Sequence, residues 1–284
     1  MKSVFLSRFF ILLPWILIVI IMIDIDSKRA VRSPAAGRHS RAPQAVRAGA
    51  SAPGSHNHSA LPIIYAITPT YTRPVQKAEL TRLAHAFRQV PRFHWIVVED
   101  STVRTELVAR FLAGCRVPFT HLHVFTHRRF KRAGMPRATE QRNTALAWLR
   151  HHRSRRDSGV VFFADDDNTY SLELFEEMRS TQGVSVWPVG FVVHSVRGSS
   201  LSFSSPGFAV NLQVILANPR AQFKRGGSQP GMQESDFLKQ ITKVSELEPK
   251  ANNCTRVLVW HTRTEKPHLA NEPKHRKDSV VIEV

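Results

Sequence analysis

Three consecutive carboxylates, Asp165-Asp166-Asp167, close the most strongly apolar of the predicted strands, Val160-Val161-Phe162-Phe163-Ala164. Side by side, such groups repel one another by several kilocalories unless a cation sits among them. Oxygen ligands suit Mg²⁺ or Mn²⁺, with one or two carboxylates from the protein and the remaining positions left to water and a diphosphate. An ion held in this way offsets the charge that builds on a departing diphosphate. A solvated acidic turn is the competing reading, and the apolar strand and basic surroundings weigh against it.

Other residues carry complementary chemistry. Arg137 and Arg142 straddle the start of a helix predicted from Thr139. There, bidentate guanidinium bonds and the helix N-terminus both favour phosphate. In so basic a chain, either arginine alone also reads as surface decoration. Near the end, Val257-Leu258-Val259-Trp260 runs into His261-Thr262-Arg263. In an extended segment His261 and Arg263 project to one face, as two donors for one anion would. A core histidine beside an exposed arginine is the alternative. Glu234 stands at the mouth of a predicted helix that buries Phe237, Leu238 and Ile241. It is placed either to act as general base on a hydroxyl or simply to complement the helix dipole.

The elements that must position these groups alternate between strand and helix. Ile63-Ile64-Tyr65-Ala66-Ile67 predicts a strand that gives way to a loop at Thr68-Pro69-Thr70-Tyr71. Thr72 is expected to cap the next helix, with Pro74 in its first turn and Leu80, Leu83, Ala84 and Phe87 inward. Trp95-Ile96-Val97-Val98 predicts a second strand ending at Glu99-Asp100. A helix over 106–112, a strand over 122–125, a basic loop over 128–137 and a helix over 139–150 follow. That last helix is expected to turn Ala145, Leu146, Trp148 and Leu149 inward. The alternation predicts an α/β fold, a mostly parallel sheet with helices on both faces. Ligands of such sheets bind outside the strand carboxyl ends, where Tyr71, Asp100 and Asp165–Asp167 all fall.

Residues 4–23 predict a membrane span, if Arg8 snorkels to the interface. With Lys2 and Arg8 on one side and Asp24 and Asp26 on the other, a short cytoplasmic tail (1–3) and a lumenal body follow. A cleaved signal peptide is the rival reading, but the apolar run is long for one and no cleavage site closely follows it. Residues 24–60, rich in Arg, Pro, Ala, Ser and Gly, cannot bury enough surface to fold and predict a flexible stem. Asn57 and Asn253 begin glycosylation sequons. The 40 Lys and Arg against 22 Asp and Glu, a net charge of +18, favour anionic partners, and the lumenal placement argues against nucleic acid. Cys115 and Cys254 allow one bridge or two free thiols.

Taken together, Thr68-Pro69-Thr70-Tyr71, Val98-Glu99-Asp100, PRATEQRN (136–143), FADDDNTY (163–170), VSVWPVG (184–190), GFAV (207–210) and WHTRTEK (260–266) resemble one family. It is that of the glucuronosyltransferases that build the proteoglycan linkage region and the sulfoglucuronyl carbohydrate epitope. The resemblance implies a nucleotide-diphospho-sugar transferase (GT-A) fold, a donor subdomain over 61–190 and an acceptor subdomain over 191–284. It further implies UDP-glucuronate as donor, a galactose-terminated glycan as acceptor, inverting β1,3 transfer, Mn²⁺ as cofactor, a Golgi membrane setting and a possible homodimer. The strand over 280–284 is one candidate contributor to such a dimer. On this resemblance Pro69, Thr70 and Tyr71 line the uridine pocket, with Asp100 on the base. Arg137 and Arg142 bind the donor, Asp165 and Asp166 contact ribose and sugar, and Asp167 holds the metal. His261, Thr262 and Arg263 clamp the diphosphate, and Glu234 is the base.

One stretch departs from the family pattern. Between Gly190 and Gly207 the family carries a much longer segment that grips the acceptor galactose, whereas here FVVHSVRGSSLSFSSP has neither tryptophan nor carboxylate. The segment over 191–206 is therefore expected to lack much of the acceptor subsite, through either a splice variant or a faulty gene model. A catalytically impaired relative, or a lumenal protein that binds nucleotide or glycan without transfer, is the first rival. The second is a haloacid-dehalogenase-type phosphatase, whose D-x-D-x-T motif matches Asp165-x-Asp167-x-Thr169. That motif normally opens its domain, whereas residues 63–164 already alternate strand and helix here.

Overall fold

The computed structural model describes residues 61–132, 135–191, 207–226, 232–262 and 264. The expected tail, span and stem, Asn57, Arg263, nearly all of 191–206 and the strand over 280–284 lie outside the described residues. Among the described residues no helix is long and apolar enough to cross a membrane.

The chain begins with β1 (Ile63–Thr70), α1 (Gln76–Phe87), β2 (Phe93–Glu99), α2 (Glu106–Gly114) and β3 (Phe119–His123). It continues through α3 (Thr139–His152), β4 (Gly159–Phe163), β5 (Asn168–Tyr170), α4 (Leu172–Met178), β6 (Val184–Trp187) and β7 (Val189–Phe191). Then come β8 (Gly207–Asn211), α5 (Leu212–Ala217), α6 (Gln233–Leu238), β9 (Leu247–Pro249) and β10 (Val259–His261). The main sheet has the order β3-β2-β1-β4-β8-β6-β9, and β8 alone runs antiparallel to its neighbours. A small sheet, β5-β10-β7, sits beside the cleft described below. The expected α/β architecture is thus present. The division expected at residue 190 falls inside β7, and the main sheet draws β8 and β9 from beyond it.

Alternation along the buried strands builds two cores. Ile64, Ala66, Trp95, Val97 and Phe162 face α1, α2 and α4, whereas Tyr65, Ile67, Ile96, Val98 and Val161 face α3 and α5. Both faces are covered, so the strands read as continuous apolar runs rather than alternating ones. On the first face Phe87 packs edge-on to Trp95 at 5.1 Å; on the second Phe223 stacks on Phe237 at 4.5 Å.

Several boundaries differ from expectation. β1 does not stop at Ile67: Thr68, Pro69 and Thr70 pair with Val97, Val98 and Glu99, because a parallel neighbour on that side supplies partners to its end. Thr72 does not cap α1. A turn forms first, with Gln76 N–H donating to Arg73 O at 3.0 Å across Pro74, and the Gln76 side chain donates to Thr70 Oγ1. β3 starts earlier than expected, since its register with β2 runs from Phe119 to His123; Phe125 is left exposed. Trp148 is half-buried, stacked between the His94 and His152 rings, rather than turned into the core. Val257 and Leu258 precede β10 rather than joining it. Ile241 is only partly buried and lies beyond the end of α6. Cys115 and Cys254 are both free thiols.

Gly159 opens β4 where the Tyr65 ring crosses its Cα. A Cβ there would come within 2.7 Å of the ring and 2.9 Å of Ile63 O. Gly159→Ala should therefore destabilise the fold by about 1–3 kcal/mol, the usual cost of overpacking. Chemical denaturation with an unchanged m-value and a lower midpoint is the expected result.

Candidate functional site

The carboxyl ends of β1, β2 and β4 open on a cavity of about 630 Å³. Pro69, Thr70, Tyr71, Asp100, Arg137, Arg142, Asp165, Asp166, Asp167, Glu234 and His261 all line it. Each arrives there for a local reason. The extension of β1 carries Pro69 and Thr70 to the rim. Glu99, buried at the end of β2, accepts from the Thr105 N–H and hydroxyl and from His121 Nε2, at 2.6–2.9 Å. Burial alone would raise its carboxyl pKa, but His121 and Thr105 outweigh that and hold it below the ordinary value. This knot fixes the end of β2, and Asp100 follows it, accepting from Thr126 N–H at 2.8 Å and pairing with Lys131 at 2.9 Å.

The three aspartates diverge. Asp165 faces Arg142, whose Nη2 lies 2.9 Å from Oδ1, and its carbonyl accepts from the buried Tyr170 hydroxyl at 3.0 Å. Asp166 turns inward to Arg73, 2.6 Å from Oδ2, while Arg82 donates to the Asp166 carbonyl at 2.9 Å. Burial pushes the Asp166 carboxyl up to about 6, more than Arg73 pulls it down. Asp167 is half-exposed in the cleft. Burial and the neighbouring Asp165 charge raise its pKa against the weaker pull of His261, 3.8 Å away. His261 also lies 2.9 Å from Asn168 Oδ1.

Arg142 links two sides of the cleft. It reaches Asp165 with Nη2 and Glu234 Oε1 with Nη1 at 3.2 Å. Burial opposes its charge, but Asp165 and Glu234 outweigh that and hold the guanidinium above its ordinary pKa. Glu234 is set opposite because its neighbour Gln233 ties α6 to α3, donating to Thr139 Oγ1 at 2.6 Å and to Lys224 O at 3.2 Å. Arg137 sits exposed at the rim, one residue before Ala138, which takes a φ of 58° to start α3.

The structure also revises parts of the expected site. Thr262 does not line the cleft: its N–H and hydroxyl both donate to the Asp167 carbonyl, at 3.0 and 3.1 Å, so it holds the backbone that carries the carboxylate. Asn253 is exposed, in a turn where residues 251–254 all take positive φ. Asp165-x-Asp167-x-Thr169 follows the fourth strand, which removes the context a phosphatase nucleophile needs. Sequence reasoning missed Arg73, which lies over the Tyr71 ring at 4.4 Å and pairs with both Asp166 and Glu79. Its signal was its place two residues after Tyr71 and directly before Pro74.

A divalent ion fits the chemistry of this donor set. Asp167 carries an unfavourable charge next to Asp165, which a cation would relieve. Among the described residues no three His, Cys, Asp or Glu side chains gather as a closed metal cage. The protein thus offers one or two carboxylates and leaves the other positions to a ligand or water.

Asp166 gives the ion-free protein a pH signature. Between its ordinary value of 3.8 and about 6, the folded state keeps a proton that the unfolded chain releases. Stability due to Asp166 is therefore greatest below pH 4 and falls as pH rises through 6, by roughly 3 kcal/mol. Denaturation curves of the wild type and Asp166→Asn should converge or cross over that window; parallel curves would show the group titrating normally.

Comparison with known proteins supplies the last observations. The description of Glycosyltransferase family 43 matches residues 83–206 and 194–265. Galactosylgalactosylxylosylprotein 3-beta-glucuronosyltransferase 2 of Homo sapiens is 59% identical over 323 positions, covering 100% of both chains. Galactosylgalactosylxylosylprotein 3-beta-glucuronosyltransferase 1 of Homo sapiens is 52% identical over 242 positions, covering 75% of this chain and 72% of its own. Crystalline S. aureus TarS 1-349 in complex with UDP-GlcNAc has a TM-score of 0.48 at 17% identity, covering 74% of this chain and 61% of that one, too slight a likeness to build on. Two details bear on the shortened stretch. An alignment of 323 positions against 284 residues leaves at least 39 with no counterpart here. The two family matches also overlap over 194–206, where the deletion is expected.

Proposed function

The chain belongs to glycosyltransferase family 43, and on that premise we propose that it transfers glucuronic acid from UDP-glucuronate, with inversion, in β1,3 linkage to a terminal galactose. The acceptors are glycoprotein, glycolipid or proteoglycan-linker glycans. The names of its relatives support the reaction, and the pairing of Arg142 with both Asp165 and Glu234 carries the assignment of roles. One arginine there spans the group expected to hold the donor sugar and the group expected to take the acceptor proton.

In this reading Pro69, Thr70 and Tyr71 hold the uridine, and Asp100 orients the base. Arg137, His261 and Arg263 bind the diphosphate, while Arg142 and Asp165 fix the transferred sugar. Arg73 keeps Asp166 turned inward, and Thr262 keeps the Asp167 backbone in place. Glu234 accepts the proton of the acceptor hydroxyl as that oxygen attacks the sugar carbon, which suits a single in-line displacement. Manganese, when bound at Asp167, supplies positive charge against the departing diphosphate. Residues 4–23 anchor the chain in the Golgi membrane with the catalytic body lumenal, and a homodimer is the proposed assembly.

A second reading has its own support in the interrupted match over 194–206. With a shortened acceptor segment, the chain binds UDP and metal but transfers slowly or not at all.

Two variants test these roles. Asp167→Ala should weaken metal-dependent UDP binding at least about tenfold in calorimetry, roughly the 1.4 kcal/mol of one lost favourable contact. Glu234→Gln should leave UDP binding intact and lower transfer from UDP-glucuronate about 10²-fold or more. A correctly folded Asp167→Ala protein with undiminished metal-dependent affinity would falsify the metal assignment. Wild-type UDP binding without any transfer would favour the second reading.

A further inference from the structure

Asp100 and Lys131 form an ion pair on the wall of the cleft, with Lys131 Nζ 2.9 Å from Asp100 Oδ2. Each partner is placed by contacts of its own. The Asp100 N–H donates to Thr70 O at 2.9 Å, at the end of β1, and Oδ1 accepts from the Thr126 N–H at 2.8 Å. With the backbone and one oxygen tied, Oδ2 is the oxygen turned to Lys131. Lys131 directly follows a short helical turn, Arg128–Phe130. Two guanidinium groups lie over the Phe130 ring, Arg129 at 4.5 Å and Arg225 at 4.1 Å, and Arg225 pairs with Glu140 on α3 at 2.9 Å. These contacts tie the turn to α3, while the Lys131 ammonium lies 5.2 Å from the Phe125 ring. The Asp100 side chain is 11% exposed and that of Lys131 43%, so the pair is rooted at the carboxylate and open at the ammonium.

A carboxylate oxygen accepts and an ammonium donates, so the pair presents an acceptor and a donor side by side. Its complement is a ligand edge with an N–H next to a carbonyl, whose N and O stand about 2.2 Å apart by ordinary amide bond lengths. Uracil has that edge. Its ring N–H lies between two carbonyls, so the match holds whichever carbonyl meets Lys131. Cytosine has a bare ring nitrogen at the same position and an amino group beside it. Placed alike, its lone pair would face the carboxylate and its amino group the ammonium. Both contacts repel, so one pair of side chains attracts one base and opposes the other. The bland alternative is that the ion pair only fastens the turn to β2, a role that makes no distinction between bases.

We propose that Lys131 is a specificity-determining residue, selecting a uracil nucleotide over a cytosine one by donating to the carbonyl beside the ring N–H that Asp100 accepts. The inference deepens the proposed function and rests on its placing of the base at Asp100. Lys131 sits in a basic run, where charge by itself does not single out one side chain.

Calorimetry on the full chain with Mn²⁺ tests it, titrating UDP and CDP, which share ribose and diphosphate and differ only in the base edge. The wild type should bind UDP at least about tenfold more tightly than CDP. Lys131→Met, which keeps the length of the stem, should weaken UDP binding about threefold to tenfold and leave CDP unchanged or tighter. Lys131→Arg should retain most of the preference. Sulfur is the weaker acceptor in 4-thio-UDP and 2-thio-UDP, so the wild type should bind one of them less tightly than UDP, and Lys131→Met should bind that one and UDP alike. Equal losses for UDP and CDP in Lys131→Met, or no loss for UDP, overturn the proposal and leave the donor assignment standing. CDP bound by the wild type as tightly as UDP overturns it too. A wild type that binds neither nucleotide overturns both this inference and the donor assignment.

Discussion

Charge cannot accumulate at the floor of a half-closed cleft without being answered, and at the end of β4 the backbone delivers three carboxylates to one. Two receive a guanidinium: Asp165 from Arg142 on α3 and Asp166 from Arg73 in the turn after β1. Asp167 is left beside a like charge with only a distant imidazole. This unequal division leaves in the cleft a negative charge that a cation would offset.

The sheet makes the division possible. Parallel strands covered on both faces put the ends of β1, β2 and β4 side by side, so that residues far apart in sequence meet at one edge. The small sheet β5-β10-β7 pairs residues 259–261 with the strand that follows the aspartates, which is how Thr262 comes to hold the Asp167 carbonyl. The Gln233 side chain, bonded to Thr139, performs a similar task for Glu234. These are single hydrogen bonds, yet each sets the direction of a charged group.

The family's reaction joins a donor half and an acceptor half, and this chain holds them unequally. On the proposed assignment, the donor-binding residues other than Arg263 lie among the described residues. On the same assignment the acceptor half is represented by Glu234, and the family match is interrupted over 194–206. A base with its partner arginine in place does not by itself position an acceptor, because orientation of the attacking hydroxyl contributes as much as proton removal.

Much was legible in the residues alone. Continuous apolar runs separated by helical periodicity set the α/β class, and the aspartates after Ala164 marked the ligand-binding edge, because both signals are local in sequence. The reach of β1 to Thr70, the turn that replaces a Thr72 cap and the half-exposure of Trp148 were not legible, since each depends on what a neighbouring element offers. The fate of the three aspartates lay further still from view. Their identity was plain, but which one meets Arg73, which meets Arg142 and which is left for a cation depends on side chains brought together across the sheet. Sequence determined the inventory of charges; only the tertiary structure decided their pairing, because electrostatic energy depends on distance and burial, and neither exists until the chain is folded.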